Sequence, residues 1–178
     1  MVQKIIQSGD PILRKVSKPV IKLDKKVLNL IKDLKDTLNV QKNPEGVGLA
    51  APQIGVNLRV FVAKYKNLDL VAINPEIIKK TQKIQKSKTQ RKARTEVLEG
   101  CLSLPHYYGP LKRDGKITLK YMDENGDYKT AEYSGFNAQI IMHEIDHLDG
   151  ILFVDRLLEQ KKKLYKLNAK DEWEEVEI

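Results

Sequence analysis

The chain has 178 residues, of which 41% are hydrophobic and 31% are charged. This is the composition of an ordinary globular protein, and it excludes an intrinsically disordered chain. No apolar run approaches the roughly 18 residues that a membrane helix needs, and the first residues contain no apolar segment of a secretory signal. We therefore expect a cytoplasmic protein with no membrane partner, folded as a single domain over residues 1–178.

The net charge of +8 is concentrated in one stretch, residues 79–94, which contains eight basic side chains and no acidic one. The rest of the chain carries 24 basic and 24 acidic residues, so its charge is balanced. The stretch is either a solvated loop or hairpin, or a patch that contacts RNA or another polyanion. It contains no aromatic residue, which argues against base stacking.

The first half of the chain predicts one helix and two short strands. Apolar residues recur at helical spacing over 23–38, and Asp24 is a suitable N-cap. The segment 46–55, GVGLAAPQIG, is too rich in glycine and too interrupted by proline for a regular element. Residues 58–63 and 70–73 are predicted as strands, and the second is expected to end at Asn74-Pro75.

The second half predicts further strands followed by two helices. Residues 97–104 are strand-like, and segments 116–122 and 128–133 flank an Asn125-Gly126 turn, the strongest hairpin signal in the chain. The pattern then changes to a largely buried helix over 135–148. A last amphipathic helix is predicted from about 156 to 168. Helices mixed with antiparallel strands, without βαβ alternation, indicate an α+β fold.

The sequence HEIDH, residues 143–147, is the first motif that carries chemistry. On a helix, His143 and His147 lie four residues apart and face the same way, so both imidazoles can bind one metal ion. Glu144 lies beside them and can act as a general base toward water. The HExxH pattern alone is weakly specific, because two helical histidines are often structural residues.

A catalytic metal site of this kind needs a third protein ligand. The candidates are Cys101, His106 and Glu159, and the HEIDH motif by itself does not choose among them. Cys101 is the only cysteine of the chain, so it has no disulfide partner within it. A thiolate binds zinc or ferrous iron well, although a lone cysteine is more often a small buried hydrophobe.

Three segments in order, GVGLAAPQIG, EGCLS and HEIDHLDG, resemble the three motifs of the peptide deformylase family. The similarity extends from GDPILRK near the N-terminus to GILFVDRL at 150–157. It implies a fold in which antiparallel β-strands pack around a central metal-binding HExxH helix, with N-terminal and C-terminal helices. It also implies a metal-dependent hydrolase that removes the N-formyl group from the formyl-methionine of newly made polypeptides and releases formate.

The resemblance assigns roles to particular positions. Cys101, His143 and His147 would hold one divalent ion, with Fe2+ favoured and Zn2+, Ni2+ or Co2+ possible. Glu144 would accept a proton from water and pass one to the departing amine. The Gln53 side-chain amide and the Leu102 backbone N–H would form an oxyanion hole. An ion pair between Arg113 and Glu99 would also fit the family.

The resemblance also implies a binding site for the formylated nascent peptide. Gly46, Val47 and Gly48 would lie along the extended substrate, with the glycines leaving room for its backbone. Val47, Phe136 and Ile140 would line an apolar pocket for the methionine side chain, although each could equally be a core residue.

Two other functions compete with deformylation. An HExxH metallopeptidase would cut internal peptide bonds, but the sequence shows no clear downstream ligand for it. An inactive family member would bind nascent chains or RNA without turnover, although competent residues occupy all the predicted catalytic positions. The basic stretch 79–94 or the C-terminal helix would contact the ribosome, from which the substrates emerge.

Overall fold

The structure is a computed structural model that describes residues 1–81, 98–168 and 172–177. Its helices are α1 (Lys25–Asn39), α2 (Gly135–Leu148) and α3 (Phe153–Glu159), with short 3-10 helices at Pro11–Arg14 and Ala51–Ile54. Its strands are β1 (Gly48–Ala50), β2 (Val60–Tyr65), β3 (Leu68–Thr81), β4 (Leu98–Cys101), β5 (Leu104–Pro110), β6 (Lys116–Met122), β7 (Tyr128–Ser134), β8 (Leu164–Leu167) and β9 (Trp173–Val176).

The strands form two antiparallel sheets. The five-stranded sheet has the order β1-β2-β3-β6-β7, and the four-stranded sheet has the order β4-β5-β8-β9. Helix α1 packs on one face of the five-stranded sheet and helix α2 packs on the other. Helix α3 contacts β4 and β5. This arrangement confirms the predicted α+β class with antiparallel strands around the HExxH helix.

Helix α1 follows the sequence prediction closely. Asp24 caps its first turn, since the carboxylate Oδ1 accepts hydrogen bonds from the backbone N–H of Lys26 at 2.9 Å and of Val27 at 3.0 Å. Its apolar stripe, which includes Ile31 and Leu34, is buried against the sheet. The amphipathic pattern therefore placed this helix correctly.

Helix α2 is buried on almost every side. From Ala138 to Leu148 only Gln139 is more than marginally exposed, because the five-stranded sheet and the β4 side of the molecule cover opposite faces. The helix ends at Leu148 with Asp149 as its C-cap, and Gly150 follows in the left-handed region with φ of 73°. A Cβ at this position would lie 2.8 Å from the carbonyl carbon of Arg14, so only glycine fits there.

Strand β3 corrects one prediction. The strand predicted over 70–73 does not end at Asn74-Pro75 but continues to Thr81. Its pairing with β6 shifts register between Ile73 and Glu76, so the proline lies at an irregularity that needs no ladder hydrogen bond. The Asn74 side chain binds the backbone N–H and C=O of Val20, both at 2.8 Å, which fixes this bulge.

The C-terminal region corrects a second prediction. The helix predicted over 156–168 ends at Glu159, and the chain then forms strand β8. Lys161 adopts a positive φ of 52°, which ends the helical path. Strand β8 pairs with the edge of β5, and Leu164 is buried there. Pairing with the open edge of β5 therefore determined the structure of this segment in place of the helix that the local pattern predicted.

Two further segments differ in part from their predicted structure or lie partly outside the described residues. The strand predicted over 97–104 is divided into β4 and β5 by a tight turn at Leu102 and Ser103. Of the basic stretch, residues 79–81 end strand β3, while 82–94 lie outside the described residues. Among the parts of the chain that the structure describes, no helix has both the length and the apolarity to cross a membrane.

Candidate metal centre

Cys101, His143 and His147 converge at one buried point. One ligand atom from each lies within 4.8 Å of the others, and the Cys101 Sγ lies 3.2 Å from His147 Nε2. Helix α2 presents the two histidines one turn apart, and the end of β4 brings the thiol to them. The Ser103 N–H donates to the Cys101 Sγ at 3.4 Å, so the turn after β4 orients the sulfur.

The other two candidates for a third ligand do not join this group. Glu159 is exposed and accepts a hydrogen bond from Arg156 at 3.0 Å. His106 is exposed, has a positive φ of 68°, and is absent from the cluster of ligand atoms that the described residues form. The tertiary structure therefore selects Cys101.

A buried carboxylate orients the first histidine. Glu99 Oε1 lies 2.7 Å from His143 Nδ1, so this ring nitrogen has a hydrogen-bond partner and Nε2 is directed toward Cys101. Arg113 makes a bidentate contact with the same carboxylate at 2.7 and 2.6 Å, which confirms the predicted Arg113–Glu99 ion pair. Arg113 also reaches Asp146 at 2.9 Å, and Asp146 in turn pairs with Arg156.

Sequence reasoning missed the Glu99–His143 contact. Glu99 precedes Cys101 by two residues on a strand, so the two side chains share one face. The alternation of side chains along the strand was the sequence signal that could have placed Glu99 near the cluster.

The electrostatics of Cys101, His143 and His147 favour a positive charge at the point where the three side chains meet. Burial opposes ionisation of the thiol, but the charges and hydrogen bonds of His147 and His143 outweigh burial and hold the pKa of Cys101 well below its ordinary value. Burial likewise opposes protonation of His143, but its hydrogen bonds to Cys101 and Glu99 raise its pKa. A thiolate and two imidazoles are a fitting ligand set for a divalent transition metal, so the residues present fit a metal ion.

Glu144 lies beside this cluster with an unsatisfied oxygen. The residue is 3% exposed, and its Oε2 has no hydrogen-bond partner within the protein. Burial raises the pKa of Glu144 to about 7, while the nearby histidines oppose that shift. A buried carboxyl group that titrates near neutral pH can both accept and donate a proton.

Gln53 is held with its amide nitrogen toward the cluster. Its Oε1 accepts a hydrogen bond from the Ala50 N–H at 2.8 Å, which fixes the amide orientation. Its Nε2 then lies 3.1 Å from Ser103 Oγ and 3.7 Å from Cys101 Sγ. The side chain is thus placed as a hydrogen-bond donor at the same site.

A cavity of about 380 Å³ opens onto the cluster. Its walls include most of the predicted site residues, namely Val47, Gly48, Gln53, Cys101, Leu102, Phe136, Ile140, His143 and Glu144. Gly46 is not among the lining residues. A Cβ at Gly46 would lie 2.7 Å from Leu38 Cδ1, so packing against α1 accounts for this glycine, and its contact with a substrate remains a prediction.

The fold and the site together define a class of protein: an α+β protein in which a cysteine of β4 and the two histidines of an HExxH helix form a buried cluster that fits a metal ion. Residues 2–163 match the family model described as polypeptide deformylase. The chain therefore belongs to the polypeptide deformylase family, whose members are metal-dependent.

Curated relatives and solved structures agree with this family. The chain is 41% identical to a peptide deformylase of Pseudothermotoga lettingae over 155 residues, which cover 87% of this chain and 82% of the relative. It is 38% identical to one of Dehalococcoides mccartyi over 176 residues, 98% of this chain and 96% of the relative.

Among solved structures, the peptide deformylase of Thermotoga maritima superposes with a TM-score of 0.75 at 36% identity, covering 88% of this chain and 97% of that one. The Synechococcus elongatus peptide deformylase in complex with actinonin gives a TM-score of 0.75 at 34% identity, covering 86% and 78%.

Proposed function

We propose that this chain is a peptide deformylase, an amide hydrolase that removes the N-formyl group from the formyl-methionine of new polypeptides and releases formate. Family membership supports the activity. The observation that carries the proposal is geometric: the Cys101 Sγ meets the imidazoles of His143 and His147, and Cys101, His143 and the unpartnered Glu144 line one cavity.

We propose that Cys101, His143 and His147 hold one divalent metal ion. When bound, the ion supplies Lewis acidity toward a water molecule and toward the formyl carbonyl group. Ferrous iron is the ion that we propose, with Zn2+, Ni2+ or Co2+ able to replace it, since all four accept thiolate and imidazole ligands. Glu99 and Arg113 hold His143 in the required orientation.

Glu144 is the residue that we propose to move protons. Its buried carboxylate accepts a proton from the attacking water and delivers one to the amine of methionine as the C–N bond breaks. The bond that forms joins the water oxygen to the formyl carbon, so the products are formate and a free N-terminal amine. The Gln53 amide and the Leu102 N–H donate to the oxygen that becomes negatively charged.

The substrate would enter along the strand β1 side of the cavity. We propose that Gly46, Val47 and Gly48 lie along the peptide, which main-chain hydrogen bonds would bind with little demand on sequence. Val47, Phe136 and Ile140 would contact the methionine side chain. We also propose that residues 1–178 form one catalytic domain and that it acts in the cytoplasm, where formylated nascent chains are made.

Two peptides test the proposed activity. Under anaerobic conditions with iron loaded, the enzyme should release formate from formyl-Met-Ala-Ser and leave internal bonds of Met-Ala-Ser-Lys-Leu intact. A chelator should abolish formate release, and added divalent metal should restore it. Internal cleavage would instead favour the metallopeptidase, and tight peptide binding without turnover would favour an inactive binding protein. Binding of actinonin, the compound present in the Synechococcus elongatus structure, is a further expected result.

We propose that the basic stretch 79–94 contacts the ribosome, with the C-terminal segment after α3 as the alternative surface. Attraction to RNA phosphates would be strong at low salt and weaker at high salt. Replacing the basic residues of 79–94 by glutamine should weaken ribosome binding and leave turnover of short peptides unchanged. The matched control replaces Lys161, Lys162 and Lys163, and a loss only in that control would assign the contact to the C-terminal segment.

A further inference from the structure

Strand β7 forms a free edge of the five-stranded sheet. It pairs with β6 on one side from Tyr128 to Ser134, and this pairing contains no register shift. The strand has no proline, so it lacks both the bulge and the proline that commonly protect an edge strand. Among residues 1–81, 98–168 and 172–177, no backbone group hydrogen-bonds to its outer side.

The two ends of the β6–β7 pairing determine which backbone groups of β7 point outward. The Asp123 N–H donates to the Asp127 carbonyl at 2.9 Å, and the Gly135 N–H donates to the Gly115 carbonyl at 3.0 Å. Because antiparallel pairs alternate between hydrogen-bonded and non-hydrogen-bonded positions, the odd-numbered residues of β7 bond to β6. The even-numbered residues direct their N–H and C=O groups away from the sheet. These residues are Tyr128, Thr130, Glu132 and Ser134.

The charged side chains of β7 do not block this edge. Charges on an edge strand usually oppose pairing with another chain, but those of β7 are balanced by ion pairs within the chain. Lys116 Nζ lies 2.8 Å from Glu132 Oε2, and Lys129 Nζ lies 3.7 Å from carboxylate oxygens of Asp123 and Asp127. The edge therefore presents a row of outward backbone groups with little net charge beside it.

We propose that two copies of this chain associate antiparallel through β7 about a twofold axis at Ala131, so that their two five-stranded sheets form one continuous sheet. Outward-directed residues of one copy must face outward-directed residues of the other, which limits the possible registers. The register centred on Ala131 pairs the whole strand and places Thr130 opposite Glu132 of the second copy. It also places Lys129 opposite Tyr133, so no like charges meet.

The neighbouring registers are less favourable. A twofold axis at Thr130 or at Glu132 leaves part of the strand unpaired, and the axis at Glu132 sets two carboxylates directly opposite each other. Strand pairing over the length of β7 forms about eight hydrogen bonds. It buries a small area, so we expect a weak dimer that depends on concentration. Strand β1, whose Gly48 lines the cavity, is at the opposite edge of the sheet and takes no part in the pairing.

Engineered cysteines test the register. Ala131 would meet its own copy as a non-hydrogen-bonded pair with Cα atoms about 4.5 Å apart, which a disulfide can span. The Cα atoms of the two Lys129 residues would lie about 13 Å apart or more, which a disulfide cannot span. Under mild oxidation of the metal-loaded protein, Ala131→Cys should form at least about tenfold more disulfide-linked dimer than Lys129→Cys. The buried Cys101 is present in both variants and serves as the common background.

Sedimentation velocity tests the association itself. The wild type should change from monomer toward dimer between about 1 µM and about 500 µM, as expected for a small interface. Thr130→Pro removes an N–H that points away from β6, so it should preserve the fold and weaken association by at least about tenfold. Thr130→Val keeps the N–H and is the matched control. Circular dichroism and formate release from a short peptide should be the same for both variants and the wild type.

Three results would each overturn the proposed dimer. They are a wild type that stays monomeric over the whole concentration range, equal crosslinking of Ala131→Cys and Lys129→Cys, and unchanged association of a folded Thr130→Pro variant. Should Thr130→Pro fail to fold, the two cysteine variants decide. None of these readouts except the formate control depends on catalysis, so the dimer can fail while the proposed activity holds, and the reverse.

Discussion

Gly48 and Glu144 fit against each other so closely that position 48 has no room for a side chain. A Cβ on Gly48 would lie 2.8 Å from Glu144 Cδ, inside ordinary van der Waals contact. Strand β1 and helix α2 are both buried, so neither backbone can easily move away. Gly48, in the GVGLAAPQIG segment, therefore fixes the position of the Glu144 carboxylate, in the HEIDHLDG segment.

Gly48→Ala should displace the Glu144 carboxylate and reduce kcat for formate release by about 10²-fold, because a shift near 1 Å is enough to misalign proton transfer. Metal content, measured by elemental analysis, should stay near one ion per chain. Gly126→Ala is the control, since it strains a turn with φ of 90° without touching the cavity. Equal activity of Gly48→Ala and wild type would contradict this account.

Glu144→Gln keeps the size of the side chain but removes its ability to accept a proton. We expect kcat to fall by about 10²- to 10⁴-fold with metal still bound. The assay is formate release from formyl-Met-Ala-Ser at saturating substrate. Glu132→Gln, on the exposed strand β7, should behave like the wild type. Substantial turnover by Glu144→Gln would show that Glu144 is not the proton carrier.

Glu99→Gln tests whether the buried carboxylate supports metal binding. The substitution keeps an acceptor for His143 but removes the negative charge that strengthens the imidazole as a ligand. Metal affinity should fall by about 10-fold or more, as for other partners of metal-bound histidines. Competition against a chromophoric chelator measures the metal affinity. Glu76→Gln, at an exposed position, is the control. An affinity equal to wild type would mean that Glu99 serves stability alone.

Glu99 should also make stability depend on acid pH. Burial raises its pKa, but the hydrogen bonds of Arg113 and His143 outweigh burial and lower the pKa from the ordinary 4.5 to about 2. A carboxyl group with a lowered folded-state pKa stabilises the protein above its unfolded pKa, and this contribution is lost as the pH falls from 4.5 toward 2. The difference corresponds to about 3 kcal/mol in the free energy of unfolding.

Urea unfolding of chelator-treated protein between pH 6 and pH 3 measures this dependence. The wild type should lose stability more steeply than Glu99→Gln as the pH falls, because the variant lacks the titrating group. Burial raises the pKa of Asp146, but the hydrogen bonds and charges of Arg156 and Arg113 outweigh burial and lower it; Asp146 is present in both proteins. Parallel curves would show that the Glu99 ion pair contributes no pH-dependent stability.

Local pattern in the sequence was enough to predict several elements. The Asp24 cap and the apolar stripe after it placed α1, and the Asn125-Gly126 turn placed the β6–β7 hairpin. The HEIDH spacing put two imidazoles on one face of α2. Each of these rests on residues within a few positions of one another, where backbone geometry alone decides which side chains are neighbours.

The tertiary structure decided everything that depends on contacts between distant segments. It chose Cys101 over His106 and Glu159 as the third member of the cluster, and it placed Glu99 against His143. It also carried β3 past Pro75 and turned the predicted C-terminal helix into strands at the β5 edge. Periodicity tells which face of a segment is apolar, but the partner for that face, or for an open strand edge, is fixed only when the whole chain packs.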